Sequence, residues 1–326
     1  MSARIDRPSK VLAVADTGRA QTALVTARAL AEAHDAELEV VACVEPPHDL
    51  AILSRLSGED PQRLIDAAVA HTRREVGARL AEILPDRPPR FEVLVGKAFF
   101  ELVGHAAASG CDVLVKTAER LAGLNRFLFA STDQHLLRKC PCPVWLLTPE
   151  AATVPRHVLA AVDLDLWDAD EPETLADLNR RVLDAACMIA RAPEAEVTVL
   201  HAWEAMGEGM VWAFAGGRDA RMSADRYVNE ILDARHDAMD RFVAQVRKEV
   251  GPSPRIVPCL ARGTPETVIH AQSRRTAADV VVMGTVARTG LSGVFIGNTA
   301  ENIINRLDCP VLAVKPEGFV SPLLQD

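Results

Sequence analysis

Residues 112–147 open on Asp112-Val113-Leu114-Val115 and close on Cys142-Pro143-Val144-Trp145-Leu146-Leu147; residues 279–314 open on Asp279-Val280-Val281-Val282 and close on Cys309-Pro310-Val311-Leu312-Ala313-Val314. Asp112 to Asp279 and Cys142 to Cys309 are both 167 positions apart, so the two stretches align without a gap. Earlier in each copy, Val11-Leu12-Ala13-Val14-Ala15-Asp16 matches Val158-Leu159-Ala160-Ala161-Val162-Asp163 at an offset of 147. The shorter offset places longer connections in the second half. A chain of 326 residues repeated in this way holds two domains of ordinary size, 1–150 and 151–326. Thr148 to Pro155, with two prolines, is the linker.

Each half alternates short apolar runs with helical periods. The runs fall at 10–15, 38–44, 91–95, 112–116 and 144–147, then at 157–162, 197–202, 255–260, 279–283 and 311–314. Without polar alternation they read as strands covered on both faces, as in a parallel sheet. Between them Ile65, Val69, Thr72, Val76, Leu80 and Ile83 follow three-to-four spacing, as do Leu175, Leu178, Val182, Ala185 and Ile189, and Leu232, Met239, Phe242, Val246 and Val250. Strands alternating with helices give βαβ units, whose right-handed crossovers place helices on both faces.

Composition narrows the function. A hydrophobic content of 49% supports packed cores, and a net charge of −9 argues against general nucleic-acid binding. No apolar run reaches membrane-spanning length, and the start, Met1 to Pro8, has no apolar segment of a signal peptide. The expectation is a cytoplasmic protein with reduced thiols. Seven cysteines are scattered, with Cys140-Pro141-Cys142 the one close pair. That pair reads as packing thiols at the entry to a strand, since no further Cys or His clusters with it in sequence. No catalytic nucleophile arrangement can be picked out. His236 with Asp233, Asp237 and Asp240 lies along one helix and reads as a solvated face, so no metal site is assigned.

In open α/β sheets ligands bind beyond the C-terminal strand ends, where strand order reverses. In the second half that places Asp163, the segment His201-Ala202-Trp203 and the loop Gly284 to Thr299 together. The loop carries Gly284, Gly290, Gly293 and Gly297 and enters a helix at about Thr299. Such a loop serves either as a phosphate cradle or as a tight turn. It has no Gly-Lys-Ser/Thr, and the dinucleotide fingerprint would instead follow the first strand.

Here a resemblance becomes specific. Val281-Val282-Met283-Gly284-Thr285-Val286-Ala287-Arg288-Thr289-Gly290, Gly297-Asn298-Thr299-Ala300-Glu301-Asn302 and Cys309-Pro310-Val311-Leu312 resemble the end of a universal stress protein domain; Val314 to Phe319 resembles the tandem E-type subgroup. The resemblance implies two Rossmann-like domains, each a five-stranded parallel sheet of order 3-2-1-4-5 with helices on both faces. It implies an intramolecular pseudo-dimer, with Val144 to Leu147 pairing antiparallel to Val311 to Val314, and leaves open a homodimer. Some members bind ATP through Gly, two residues, Gly, nine residues, Gly and Ser or Thr. Here those positions carry Gly284, Ala287, Gly297 and Asn298, with Gly290 and Thr299 beside them and Asp163 at the adenosine. Ala287 and Asn298 depart from the pattern. The implied ligand is ATP or another nucleotide, with magnesium, in the second half, and the implied role is non-catalytic ligand binding in a stress response. A weak ATPase and a carrier of an amphiphile are the alternatives. In the first half the same positions read Thr117, Arg120, Ala130 and Ser131, a degenerate site. After its second strand the second half adds Glu204 to Gly217, in which Met210, Trp212 and Phe214 form either a lid or a packing surface.

Overall fold

The computed structural model describes residues 7–16, 21–85, 87–118, 131–215, 219–251, 253–285 and 297–324. The first half runs β1 (Lys10–Val14), α1 (Thr22–His34), β2 (Glu37–Val44), α2 (Leu50–Ser57), α3 (Pro61–Ile83), β3 (Arg90–Val95), α4 (Ala98–Ser109), β4 (Val113–Thr117), α5 (Ser131–Lys139) and β5 (Val144–Leu147). The second runs β6 (His157–Val162), α6 (Pro172–Ile189), β7 (Glu196–Trp203), α7 (Glu208–Ala215), α8 (Asp219–Val250), β8 (Arg255–Arg262), α9 (Pro265–Arg275), β9 (Val280–Gly284), α10 (Asn298–Ile304) and β10 (Val311–Val314). The strands agree with the apolar runs to within one or two residues. The extra length of the second half lies mostly between β6 and β7, where 33 residues join strands that 22 residues join in the first half, and to a lesser degree around α7 and the 32-residue α8.

Ten strands form one sheet in the order β3-β2-β1-β4-β5-β10-β9-β6-β7-β8, which is 3-2-1-4-5 within each half. Pairings inside each half are parallel. Across the middle, β5 and β10 run antiparallel, with Trp145 opposite Leu312. Each of these two strands thereby loses a bare edge that would otherwise invite pairing with another chain.

Both faces of the sheet are apolar, which is why the strands read as unbroken hydrophobic runs. Val11 and Ala13 point into one layer with Leu24 and Ala27 of α1, Val76 and Leu80 of α3, Val182 of α6 and Met239 of α8. Leu12 and Val14 point into the other with Leu102 of α4, Leu136 of α5, Val268 of α9 and Ile303 of α10. Burying each such side chain contributes roughly 1.5–3 kcal/mol. Among the described residues no helix is long and apolar enough to cross a membrane.

Candidate functional site

Strand order reverses between β6 and β9, and there the C-terminal ends of β6, β7, β8 and β9 open into a cavity of about 1030 Å³. Helices α6, α8, α9 and α10 contribute to its walls. Of the residues expected at a ligand site, Asp163, Ala202, Gly284, Gly297, Asn298 and Thr299 all line it. Ala287 and Gly290 lie outside the described residues.

Asp163 follows β6, and α6 fixes its backbone. Its N–H donates to Asn179 Oδ1 at 2.8 Å, and Asn179 Nδ2 donates back to its carbonyl at 2.5 Å. Asp163 Oδ1 accepts from Asp165 N–H at 3.2 Å, which starts the turn Leu166–Asp168. Gly284 needs no unusual backbone angle. A Cβ there would lie 2.6 Å from Leu178 Cδ2, so its glycine makes room for α6 against the end of β9. At the loop's far end Gly297 takes the N-cap of α10 without a side-chain cap, so Asn298 is the first helical residue and does not cap the helix.

One cluster on the cavity wall escaped the sequence reading. Arg235, at the middle of α8, is buried, and its Nη2 donates to Asp165 Oδ2 at 2.9 Å. Its guanidinium carbon sits 4.9 Å from the Trp167 ring centroid and 5.5 Å from that of Trp203. Cation–π contacts of this kind contribute on the order of 1–2 kcal/mol when desolvated. Arg235 Nε is buried and has no hydrogen-bond acceptor among the described residues. Buried His201 turns Nε2 to Asp165 Oδ1 at 3.3 Å, while Leu164 N–H donates to its Nδ1 at 3.3 Å. Burial would raise the Asp165 carboxyl, but hydrogen bonds and charge from His201 and Arg235 outweigh it and hold the group below its ordinary value. One signal could have exposed Arg235: it falls three residues after Leu232 and four before Met239, on the apolar face of its helix.

The 204–217 segment divides differently from expectation. Met206 and, from α8, Tyr227 line the cavity. Tyr227 Oη accepts from Gly207 N–H at 3.2 Å, and a Cβ on Gly207 would strike that oxygen at 2.5 Å. Met210, Trp212 and Phe214 are not cavity-lining residues. They stand on α7 with exposures of 63%, 46% and 84%, so α7 turns them to solvent and not over the cavity.

The first half is built otherwise at the equivalent place. Met283, Gly284 and Ala300 line the cavity, and 167 positions earlier stand Lys116, Thr117 and Asp133. Lys116 Nζ lies 2.8 Å from Asp133 Oδ1, both buried. An ion pair thus occupies the level at which the second half has open wall. Thr117 Oγ1 accepts from Ala23 N–H at 3.2 Å, and Ser131 opens α5. Arg120 and Ala130 lie outside the described residues. His236, Asp233, Asp237 and Asp240 are all exposed on α8. Glu39, Glu92 and His105 have metal-ligand spacing, but Lys10 and Arg90 stand 3.8 Å and 3.5 Å from Glu39 and already balance its charge.

Comparison with known proteins bears on both halves. The sequence model of the universal stress protein family matches residues 9–148 and 156–315. Universal stress protein E of Salmonella typhi is 26% identical over 294 residues, covering 90% of this chain and 86% of the relative. Its counterpart in Escherichia coli K12 is 29% identical over 230 residues, 71% of this chain and 69% of the relative. Among solved structures, a putative universal stress protein of Pseudomonas aeruginosa superposes with a TM-score of 0.65 at 22% identity, covering 98% of this chain and 97% of that one. One from Archaeoglobus fulgidus gives 0.57 at 15% identity, with 94% and 98% covered. These structures share the fold.

Proposed function

The chain belongs to the universal stress protein family, as a tandem of two such domains, and on that premise we propose that its second half is a non-catalytic receptor for a small anionic ligand. Arg235 carries this reading. A buried guanidinium on a cavity wall, close to two indoles and with Nε lacking an acceptor among the described residues, favours a ligand that brings an acceptor oxygen and a flat or apolar body. Burying a donor without a partner is costly, so a ligand that supplies one gains affinity.

An adenine nucleotide is the first candidate, following the family resemblance. Asp163 stands at the end of β6 for the ribose, and Trp167 and Trp203 offer stacking surfaces. Gly284, Gly297, Asn298 and Thr299 would meet the phosphates, with magnesium as their counter-ion. A cavity of about 1030 Å³ is at the upper limit of sites for small ligands, which are about 300–1000 Å³, and has room for a molecule of this size. A second reading is an anionic amphiphile, favoured by Leu178, Met206, Ile231 and Ile269 on the same walls. ATP hydrolysis would need a group to orient water, and the residues assigned here supply binding. The first half, divided from the second near residue 150, is then a structural partner in a pseudo-dimer through β5 and β10. We place the protein in the cytoplasm, with pairing of two chains as a further expectation.

Native mass spectrometry of freshly purified protein tests the reading. A retained nucleotide or acidic lipid, lost in Arg235→Met, is the expected result. Protein that carries no ligand, and whose melting temperature responds neither to ATP with magnesium nor to an acidic amphiphile, would overturn it.

A further inference from the structure

Cys140-Pro141-Cys142 joins α5 to β5, and the fold brings it a third thiol. Cys111 precedes β4, which lies parallel beside β5 with Leu114 opposite Val144. The residues just upstream of the two strands therefore meet. Cys111 Sγ is 3.4 Å from Cys142 Sγ, and Cys140 Sγ is 3.5 Å from the same atom. All three side chains are buried.

The repeat supplies an internal control. At the offset of 167 the second half carries Ala278, Leu307 and Cys309 where the first carries Cys111, Cys140 and Cys142. Ala278 and Leu307 are buried as well. The same corner of the fold therefore packs with aliphatic groups, and packing alone does not call for three thiols.

The surroundings favour reactivity at one of them. Lys315 reaches across from the end of β10, and its Nζ donates to Leu137 O and to Thr285 Oγ1, both at 2.6 Å. Burial pushes this lysine down to about 7, while Cys140 pulls it back up. A hydrogen bond from Cys142 lowers Cys140 against the cost of burial, and the Lys315 charge adds to that. Cys142, hydrogen-bonded to both neighbours and desolvated, is held well above the usual thiol range. Thiolates attack peroxides and thiols do not, so reactivity concentrates on Cys140.

We propose that Cys111, Cys140 and Cys142 form a two-electron redox site that a small peroxide oxidises to one disulfide, Cys111–Cys142. The Cys140 sulfur attacks a peroxide oxygen, the O–O bond breaks, and hydrogen peroxide leaves one oxygen as water and the other as a sulfenic acid. Cys142 sulfur displaces that oxygen as a second water and forms a Cys140–Cys142 bond. Cys111 sulfur then attacks Cys142, and Cys140 departs with its electron pair and regains a proton. In sum two thiols and one hydrogen peroxide give one disulfide and two waters. Geometry favours the final pair. Adjacent parallel strands about 4.8 Å apart, with a rise of about 3.3 Å per residue, place the two Cα atoms roughly 6 Å from each other, within disulfide range.

The full chain, treated with stoichiometric hydrogen peroxide and then alkylated, tests this by thiol counting and peptide mapping. Two of the seven cysteines should become unavailable, the mapped cross-link should be Cys111–Cys142, and dithiothreitol should restore both. Cys140→Leu and Cys111→Ala copy the second half and are expected to fold, as circular dichroism will report. Cys140→Leu should slow cross-linking at least about tenfold. Cys111→Ala should stop at Cys140–Cys142. Cys309→Ala should leave the rate unchanged. Three results would each overturn the proposal: seven thiols still alkylated, first losses at the less buried Cys43, Cys259 or Cys309, or equal rates in Cys140→Leu and the parent.

Discussion

Arg235 Nη2 and Asp165 Oδ2 meet at 2.9 Å, tying the middle of α8 to the turn that follows β6. The contact joins two segments 70 residues apart, and it sets one wall of the cavity. Removing one partner of a buried pair leaves the other uncompensated, which costs about 3–5 kcal/mol. Arg235→Met should therefore lower the midpoint of urea unfolding substantially, and Asp165→Asn in the same background should recover part of that loss. A double-mutant cycle measures the coupling. If the two single changes simply add, the pair does not hold the wall.

The same carboxyl makes a pH prediction. Asp165 titrates lower in the folded chain than its ordinary value. Its contribution to stability is therefore present above the unfolded carboxylate range near ~3.9, and it disappears as pH falls through the lower folded value. Urea midpoints taken from pH 6 down to pH 3 should decline less steeply in Asp165→Asn than in the parent. Identical slopes would mean that the depressed carboxyl is not linked to folding.

Gly284 tests whether the glycine-rich segment begins with a packing constraint. An added Cβ would stand 2.6 Å from Leu178 Cδ2 and 3.0 Å from its Cγ, and the backbone there has no positive φ. Gly284→Ala should cost about 1–3 kcal/mol through overpacking. Leu178→Ala should relieve much of this, because the clash is with that one side chain. A cost that persists unchanged in the double variant would point to a backbone effect.

The strand positions and the helix layers on both faces were legible because every strand of this fold is covered on two sides, whereas the strand order rested on the family resemblance. Val11 through Val14 shows this: successive residues enter opposite layers, so an unbroken apolar run is what the fold demands. Asp163 and Gly284 were legible for a related reason, since the C-terminal ends of particular strands define the cavity in advance. Arg235 was not legible in its role, because its partners Asp165, Trp167 and Trp203 come from two other connections. That Gly284 also makes room for Leu178 was not legible, since that neighbour belongs to another element. The thiol cluster was missed because Cys111 joins Cys140 and Cys142 only through the pairing of β4 with β5.

The β5–β10 junction should couple the unfolding of the two halves. Ala313 lies opposite Val144 there and opposite Met283 on the other side. Proline at that position removes a ladder donor from a strand flanked on both edges, where proline is not tolerated without disrupting the pairing. Ala313→Pro should split a single thermal transition into two, or reveal early hydrogen exchange along β5 and β10. One cooperative transition at an unchanged temperature would show that the junction adds nothing to stability.

Lys315 provides a pH dependence of opposite sign to that of Asp165. Its amine titrates near about 7 in the folded chain against 10.5 for a free lysine, because burial disfavours the charged form. Above pH 7 the unfolded chain keeps a proton that the folded chain gives up, so stability rises with pH in that window. Below pH 7 both states hold the proton and the burial cost is present in full. Unfolded cysteines begin to ionise near ~8.5 and act in the reverse direction, since Cys43 and Cys309 are raised to about 12 when folded. The informative interval is therefore pH 7 to roughly 8. Across it the urea midpoint of the parent should climb relative to that of Lys315→Met, in which Thr285 and Leu137 lose their shared donor. Equal slopes for the two proteins would mean that Lys315 keeps an ordinary proton affinity where β10 meets α5.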